Sequence, residues 1–317
     1  DHTKPDFGML YDMRAAMTAF LFQDINLVSE EFLADYESIL DFQDEDGSFS
    51  LLDDYRVPGD ARVNFCHIPT YLATAAIIRT FLTAPDLMTE RVEAALPKAL
   101  KACCARNLRG HGCEAADSLE ETIMLFDQAG MREFIFEYPH LAANLTDETA
   151  AYFDGVHVFT YGTLMRGQSN HDHFMADCQY LGDAEAAGYD LFDVGYYPAA
   201  KAGAGSIKGE LYLAPREAIA SLDYLEGEGS LYRRKIIPVK MATGESTFAI
   251  LYEFIPETDG LPEIPEDCQP YSPDWKMRDL VWYVSYGSNM LRERFMHYIE
   301  GGSFRGGGAC HEACKDT

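Results

Sequence analysis

The chain has 317 residues, of which 47% are hydrophobic and 13% aromatic, so it can bury the cores of two or three domains and is not wholly disordered. Asp and Glu number 52 against 25 Lys and Arg, which gives a formal net charge of -27. This charge repels phosphate backbones and anionic lipids, and it predicts no nucleic-acid partner and no membrane partner. No apolar run approaches the roughly 20 residues that cross a bilayer.

The cysteine pattern and the first residues of the chain favour a cytoplasmic location. The 8 cysteines are irregularly spaced and sparse, as expected for reduced thiols rather than for a disulfide framework. No basic segment followed by an apolar stretch opens the sequence, so no export signal is expected. The motif Cys310-His311-x-x-Cys314 offers fewer ligands than the four that a zinc site usually has, so we predict a Gly-rich tail there and no metal site.

The first half of the chain is predicted to be helical. Apolar residues recur at helical spacing in the segments 13–21, 32–40, 68–82, 92–105 and 119–126. Acidic residues in the first turn of the last segment, and a glycine after it, are typical helix boundaries. No β-alternation persists before residue 155. We therefore predict an all-α domain over residues 1–154.

One short string in this half has the form Gln43-x-x-Asp46-Gly47-Ser48-Phe49. It resembles one repeat of the α/α-toroid proteins of the terpene-cyclase and prenyltransferase type, which implies a partial toroid for residues 1–154. Toroid cyclases need an acidic motif on an apolar pocket. The acidic run here adjoins a glycine turn, as a solvated loop does, so we keep the architectural likeness and disfavour terpene chemistry.

The sequence changes character at Gly155, where β-rich segments begin. Strands are predicted over 156–161, 209–213, 232–241 and 247–255, and a helix over 215–225. These segments predict an α+β domain over residues 155–256. Residues 257–279 are rich in Pro, Asp and Glu, which is typical of a linker or surface loop.

Six short motifs follow one another in this domain over about a third of the chain. They are Tyr161-Gly162-Thr163-Leu164, Arg166-Gly167-Gln168-x-Asn170-His171, Tyr197-Pro198, Gly209-Glu210-x-Tyr212, Leu222-Asp223-x-x-Glu226 and Tyr232-x-Arg234. Their order and spacing resemble the γ-glutamylcyclotransferase-like superfamily, and within it the γ-glutamylamine cyclotransferase and AIG2-like branch. The resemblance implies a small mixed β-barrel, so the predicted fold is multidomain, with the all-α domain followed by this α+β domain.

The same resemblance implies the site residues and the reaction. It implies a substrate-binding loop of Tyr161, Gly162, Thr163 and Leu164, with Glu226 as the catalytic acid/base. It also implies an enzyme that uses neither a metal nor an organic cofactor. A glycine that leaves a strand lets the backbone approach a ligand, and successive N–H groups in such a turn can hold a carboxylate or an oxyanion.

The chemistry of such a reaction suits these residue types. The α-amine of a γ-glutamyl compound loses a proton and attacks its own γ-carbonyl, which yields 5-oxoproline and a free amine. One carboxylate can accept that proton and return it to the leaving amine. Because the attack is intramolecular, a pocket that bends the substrate removes much of the entropic barrier.

Each of these residues also has a plainer interpretation. Glu226 can be a solvated residue at an acidic helix end, where the helix dipole disfavours a carboxylate. Tyr161 and Tyr232 can be core aromatics with satisfied hydroxyls, with Tyr232 a possible support for the site. His171 is predicted to pack at a helix start rather than to bind a metal. Glu210 is predicted to be a strand residue that points to solvent and has no role.

A second, partial motif lies near the C-terminus. Trp282-Tyr283-Val284-Ser285-Tyr286-Gly287-Ser288-Asn289-Met290 resembles the opening strand and loop of another branch of the same superfamily. Too few residues follow it to reach a counterpart of Glu226. Residues 280–317 are therefore expected to be the incomplete start of a second cyclotransferase-like domain.

Two functions of different classes remain open. The first is a cyclotransferase that acts on a small γ-glutamyl amine or peptide. The second is a non-catalytic or maturation-associated module that recognises a γ-glutamyl-like group on a partner, with the helical domain offering a surface for a protein partner. Turnover of γ-glutamyl compounds distinguishes the two.

Overall fold

The computed structural model describes residues 37, 40, 41, 43–49, 68–105 and 119–277. The predicted helix at 13–21 and most of the one at 32–40 lie outside these residues. So do the partial second motif at 280–317 and the Cys310-His311-x-x-Cys314 motif. Within the described part of the chain, no helix is both long enough and apolar enough to cross a bilayer.

The described residues before the barrel form five α-helices. These are α1 (Ile68–Thr83), α2 (Glu90–Ala105), α3 (Leu119–Gln128), α4 (Met131–Glu137) and α5 (Asp147–Ala151). Of the five helices that the apolar spacing predicts, the three at 68–82, 92–105 and 119–126 correspond to α1, α2 and α3. Helices α4 and α5 are too short to show a period in the sequence. The all-α character of the whole of residues 1–154, and the partial toroid, stay predictions.

Helix α1 lies in the middle of the helical core. Every residue from Thr70 to Leu82 is buried, as expected for a helix that is apolar on all sides. The Thr74 hydroxyl donates to the Thr70 carbonyl at 2.6 Å, and the Thr80 hydroxyl donates to the Ala76 carbonyl at 2.8 Å. These bonds satisfy polar groups that burial would otherwise leave unpaired.

The Gln43–Phe49 string forms a turn that is tied to two helices. Its first and last residues make an antiparallel β-bridge, and Gln43 Nε2 donates to the carbonyls of Gly47 and, on α2, of Ala95. The Phe49 N–H donates to Thr70 Oγ1 on α1 at 3.1 Å. The acidic middle of the turn is exposed or half-buried, whereas residues 47–49 are buried.

The second part of the chain is a closed five-stranded barrel. Its strands are β1 (Val156–Thr160), β2 (Gln179–Asp193), β3 (Pro198–Ala214), β4 (Tyr232–Met241) and β5 (Ser246–Phe254), with α6 (His171–Phe174) and α7 (Ala218–Glu226) between them. The order around the barrel is β1-β3-β2-β4-β5. Neighbours are antiparallel, except for β1 and β5, which are parallel and close the ring. The predicted α+β barrel is therefore confirmed.

Strand β2 has no counterpart among the predicted strands. Its buried positions in the middle are Ala184 and Ala186, and alanine gives no β-branched signal. The register also shifts twice, between Tyr180 and Gly182 and between Ala187 and Tyr189. Such bulges break the strict alternation by which a strand is recognised in a sequence.

Strand β3 begins at Pro198, whereas the sequence predicts a strand only over 209–213, and the additional first half is rich in Gly and Ala. The small residues there allow close approach between strands. A Cβ on Gly209 would lie 2.1 Å from the Thr160 carbonyl oxygen, and one on Gly203 would lie 1.9 Å from Asp190 Oδ2. Glycine is therefore needed for packing in a strand that composition alone describes as a turn.

Residues 257–275, for which the sequence predicts a linker, pack along the barrel. The Ile264 N–H donates to the Leu191 carbonyl at 2.7 Å, and the Asp193 N–H donates to the Pro262 carbonyl at 2.8 Å. Ile264 and Tyr271 are buried in the barrel core. We call residues 257–275 the strap. The strap belongs to the same compact unit as the helices and the barrel, and the predicted domain boundaries stay predictions.

The helices and the barrel share a buried contact. Glu133 of α4 is fully buried, and its carboxylate accepts the His157 N–H of β1 at 2.9 Å and lies 3.0 Å from His157 Nδ1. Burial disfavours the charged imidazole, but the adjacent carboxylate outweighs it and raises the pKa of His157. Phe248 of β5 belongs to the helical core, so both parts bury apolar surface against each other.

Candidate functional site

A cavity of about 340 Å³ lies at the end of the barrel where β1 finishes and β3 and β4 begin. This volume suits a small molecule. The cavity is lined by all six predicted site residues, which are Tyr161, Gly162, Thr163, Leu164, Glu226 and Tyr232. Glu226 carries the only charged side chain among the lining residues that the structure describes. The roles that the sequence assigns to these residues stay predictions.

Glu226 is the last residue of α7. The helix stops there because Gly227 takes the left-handed conformation at φ 63° and donates its N–H to the Asp223 carbonyl. The Glu226 carboxylate is partly buried and accepts no hydrogen bond from any residue of the described chain. Burial raises its pKa from 4.5 to about 7. A carboxyl group with that pKa exchanges protons near neutral pH.

Residues 161–166 lead from β1 into the cavity. They begin with the four residues, 161–164, that are predicted to bind substrate, and after that prediction we call 161–166 the substrate loop. A Cβ on Gly162 would lie 2.7 Å from Pro198 Cγ, so the loop can approach β3 only with glycine there. Thr163 holds the next part of the loop, because its carbonyl and hydroxyl oxygens accept the N–H and side-chain amide of Asn170, each at 3.0 Å. Across the described residues, none accepts a hydrogen bond from the backbone N–H groups of Gly162, Thr163 or Leu164. These N–H groups remain available to an anion.

Two tyrosine hydroxyls of the cavity, those of Tyr161 and Tyr232, donate to backbone carbonyls. Tyr161 donates to the Tyr252 carbonyl at 2.6 Å, and Tyr232 donates to the Pro198 carbonyl at 3.0 Å. Burial, with a smaller contribution from the charge of Glu226, raises the pKa of both Tyr161 and Tyr232. Both hydroxyls therefore stay protonated and fix the shape of the cavity wall.

A set of polar contacts holds α7 against the barrel. Asp223, one turn before Glu226, accepts the Tyr252 hydroxyl and Arg234 Nη1, each at 2.8 Å. Arg234 also stacks over Phe136 of α4, with 5.2 Å between Cζ and the ring centroid. These contacts fix the helix end that carries Glu226.

Glu210 does not point to solvent, which corrects the interpretation of this residue from the sequence. Its side chain is buried, with 8% of the residue exposed. The carboxylate accepts the backbone N–H and Nε of Arg166, each at 2.8 Å, and the Tyr212 hydroxyl at 2.6 Å. The Arg166 guanidinium lies 3.6 Å from the Tyr180 ring centroid. Glu210 thus fixes the far end of the substrate loop.

His171 begins α6, the position that the sequence predicts for it. It lies 3.0 Å from Asp172 Oδ1, and its ring is 6.0 Å from that of Tyr212. In the part of the chain that the structure describes, no three His, Cys, Asp or Glu side chains are grouped as a metal site requires. The prediction that the protein uses no cofactor stays a prediction.

The barrel region of the chain is similar to known proteins of one family. Residues 158–277 match the family described as gamma-glutamyl cyclotransferase, AIG2-like, and the match includes the strap. The gamma-glutamylcyclotransferase family protein YtfP of Escherichia coli K12 is 34% identical over 122 residues, which are 38% of this chain and 97% of that protein.

A putative gamma-glutamylcyclotransferase of Vibrio cholerae is 41% identical over 87 residues, which are 27% of this chain and 75% of that protein. The solution structure of ytfP from Escherichia coli shares 34% sequence identity, covers 34% of this chain and 90% of its own, and has a TM-score of 0.29. Because this chain spans nearly all of a relative to which it is 34% identical, it belongs to the gamma-glutamyl cyclotransferase, AIG2-like family.

Proposed function

We propose that the protein is a cyclotransferase that releases 5-oxoproline and a free amine from a γ-glutamyl amine or peptide. One observation carries the proposal. Among the described lining residues one carboxylate, Glu226, with a pKa of about 7, shares a cavity of about 340 Å³ with the N–H groups of residues 162–164, for which no described residue is an acceptor. Membership of the family supports this reaction type, and the geometry supports the residues that would perform it.

In the proposed reaction, Glu226 is the proton-transfer group. The α-amine of the substrate gives a proton to the carboxylate, and its nitrogen forms a bond to the γ-carbonyl carbon. As the tetrahedral intermediate collapses, the bond from that carbon to the leaving nitrogen breaks. Glu226 returns the proton to this nitrogen. The step uses no water and consumes no co-reactant, and a pKa near neutrality suits a group that both accepts and donates.

The substrate loop would supply the anion-binding groups. The N–H groups of Gly162, Thr163 and Leu164 can hold either the α-carboxylate of the γ-glutamyl group or the oxyanion of the intermediate. The cavity offers no cationic side chain among its described lining residues. Recognition of these negative charges would therefore depend on backbone N–H groups.

The test is the Glu226→Gln variant with a panel of γ-glutamyl amides and peptides, and 5-oxoproline is measured. We expect the rate constant to fall by about 10²- to 10⁴-fold, because general acid–base catalysis is lost while the shape is kept. Glu217→Gln is the matched control. Glu217 is exposed at the start of the same helix, and its side chain caps no helix N–H.

Two outcomes would contradict the proposal. One is a wild-type protein that forms no 5-oxoproline from any compound of the panel, and the other is a Glu226→Gln variant as active as the wild type. Binding of γ-glutamyl compounds without turnover would support the alternative, a module that recognises a γ-glutamyl-like group. The cytoplasmic location and a protein partner for the helical domain stay predictions.

A further inference from the structure

Tyr196 is a cavity-lining residue that the proposed reaction does not use. It is 93% exposed and lines the same cavity as Glu226, so it stands at the mouth. Its ring and hydroxyl have no hydrogen bond or ring contact with any part of the described chain. A large aromatic side chain in that position exposes apolar surface with no partner to cover it.

Hydrogen bonds hold the backbone of the turn that carries Tyr196. The Val194 N–H donates to the Tyr197 carbonyl at 3.1 Å, and the Gly195 N–H donates to Asp193 Oδ1 at 2.7 Å. The second oxygen of Asp193 accepts Trp275 Nε1, at the end of the strap, at 3.1 Å. The backbone beneath Tyr196 is therefore fixed, although its side chain is not packed.

Apolar side chains lie near Tyr196 in the cavity lining, which also contains the exposed Ser169. Tyr197 packs against Tyr232, with 6.4 Å between the ring centroids. Leu225 and Leu231 line the cavity on either side of Glu226 in the sequence and are half-buried. The described lining therefore offers rings and aliphatic groups to a bound substituent, beside the polar Ser169 and Asn170.

We propose that the mouth at Tyr196 is a subsite for the leaving amine, and that it favours amines that carry an aromatic ring. The inference rests on the proposed cyclotransferase reaction. In that reaction the γ-glutamyl group folds into a ring beside Glu226, so the substituent on the leaving nitrogen extends from Glu226 toward solvent. There it meets Tyr196, and two aromatic rings attract each other beyond the burial of their area.

The test compares two substrates that differ only in the leaving amine, γ-glutamylbenzylamide and γ-glutamylethylamide. We expect the wild type to turn over the benzylamide with a kcat/KM about 3- to 10-fold higher. In Tyr196→Ala the ratio of the two kcat/KM values falls close to one, and Tyr196→Phe restores it because the ring is kept. The same ratio is measured for equilibrium binding to the Glu226→Gln variant.

Tyr224→Ala is the matched control. Tyr224 lies on α7 and is 88% exposed, but it does not line the cavity, so its loss should leave both rates unchanged. A wild type that turns over both amides equally, or a Tyr196→Ala variant that keeps the preference, overturns the inference and leaves the cyclotransferase proposal standing. A wild type that neither binds nor turns over either amide also overturns the inference, and the full panel of γ-glutamyl amides and peptides then decides separately whether the cyclotransferase proposal stands.

Discussion

Two regions of the molecule border the substrate loop, and each contains one glutamate. At the cavity, Glu226 is partly buried, accepts no hydrogen bond from the described residues and has a pKa of about 7. Behind the loop, Glu210 is buried, and its carboxylate accepts two donors from Arg166 and one from Tyr212. The difference teaches that the donors around a carboxylate, more than its burial, separate the supporting role of Glu210 from the proton transfer that we propose for Glu226.

Removal of Glu210 should have the largest effect on stability. The Glu210→Ala variant leaves the Arg166 and Tyr212 donors without their acceptor, so we expect the free energy of unfolding to fall by on the order of 3 kcal/mol. Urea denaturation measures it, with Glu217→Ala as the exposed control. A Glu210→Ala variant as stable as that control would show that the hydrogen bonds from Arg166 and Tyr212 to Glu210 do not stabilise the fold.

Glu226, in contrast to Glu210, should destabilise the folded chain when it is ionised, and the pH dependence of stability should show this. Its folded pKa of about 7 lies above the usual 4.5, so between these values the folded chain binds the proton that the unfolded chain has lost. The free energy of unfolding therefore falls as the pH rises through this window, and the whole decrease is present above about pH 7. After allowance for partial solvent exposure, we expect on the order of 2 kcal/mol.

The measurement is urea denaturation at pH 5 and pH 8 on the wild type and on Glu226→Gln. The pH-dependent difference between the two proteins isolates the titration of this one group from other effects of the substitution. Glu217→Gln should follow the wild type. Equal pH dependence in Glu226→Gln and wild type would show that the carboxyl group has an ordinary pKa.

Activity should depend on pH through the same group. If ionised Glu226 accepts the substrate proton, kcat/KM rises with an apparent pKa near 7 and falls about tenfold for each pH unit well below it. The pH profile of 5-oxoproline formation measures this. A rising limb near pH 4.5 would assign the proton transfer to a carboxylate with an ordinary pKa.

The smallest effect is expected at Tyr232. In Tyr232→Phe the hydroxyl bond to the Pro198 carbonyl is lost while the ring stays, which should reduce stability by about 1 kcal/mol and change kcat by less than about threefold. Steady-state kinetics and urea denaturation check this. A loss of kcat near that of Glu226→Gln would instead place the Tyr232 hydroxyl in the reaction.

The sequence predicts the cavity well because its parts lie in short linear motifs. Gly162 and Glu226 lie 64 positions apart in the chain, but each is marked by its neighbours, and the structure brings both to one end of the barrel. The strands β4 and β5 were also predictable, since β-branched and aromatic residues fill them.

The features of the site that the sequence does not predict depend on residues that are distant in the chain. Glu210 follows a glycine in a strand, and its role becomes visible only when Arg166 lies beside it. An acidic residue followed by Leu211 and Tyr212 in a β-rich run was the one available signal. Tyr196 gives no signal at all in the sequence, because exposure at a cavity mouth is a property of the folded chain.

The strap has a practical consequence for truncation. A chain shortened to end at residue 256, the limit that sequence composition predicts for the barrel domain, would lose Ile264 and Tyr271 from the core. It would also lose Trp275, the donor to Asp193 beneath the 194–197 turn. Such a fragment should aggregate or bind substrate poorly even with Glu226 intact, whereas a fragment that extends through residue 277 retains both functions of the strap.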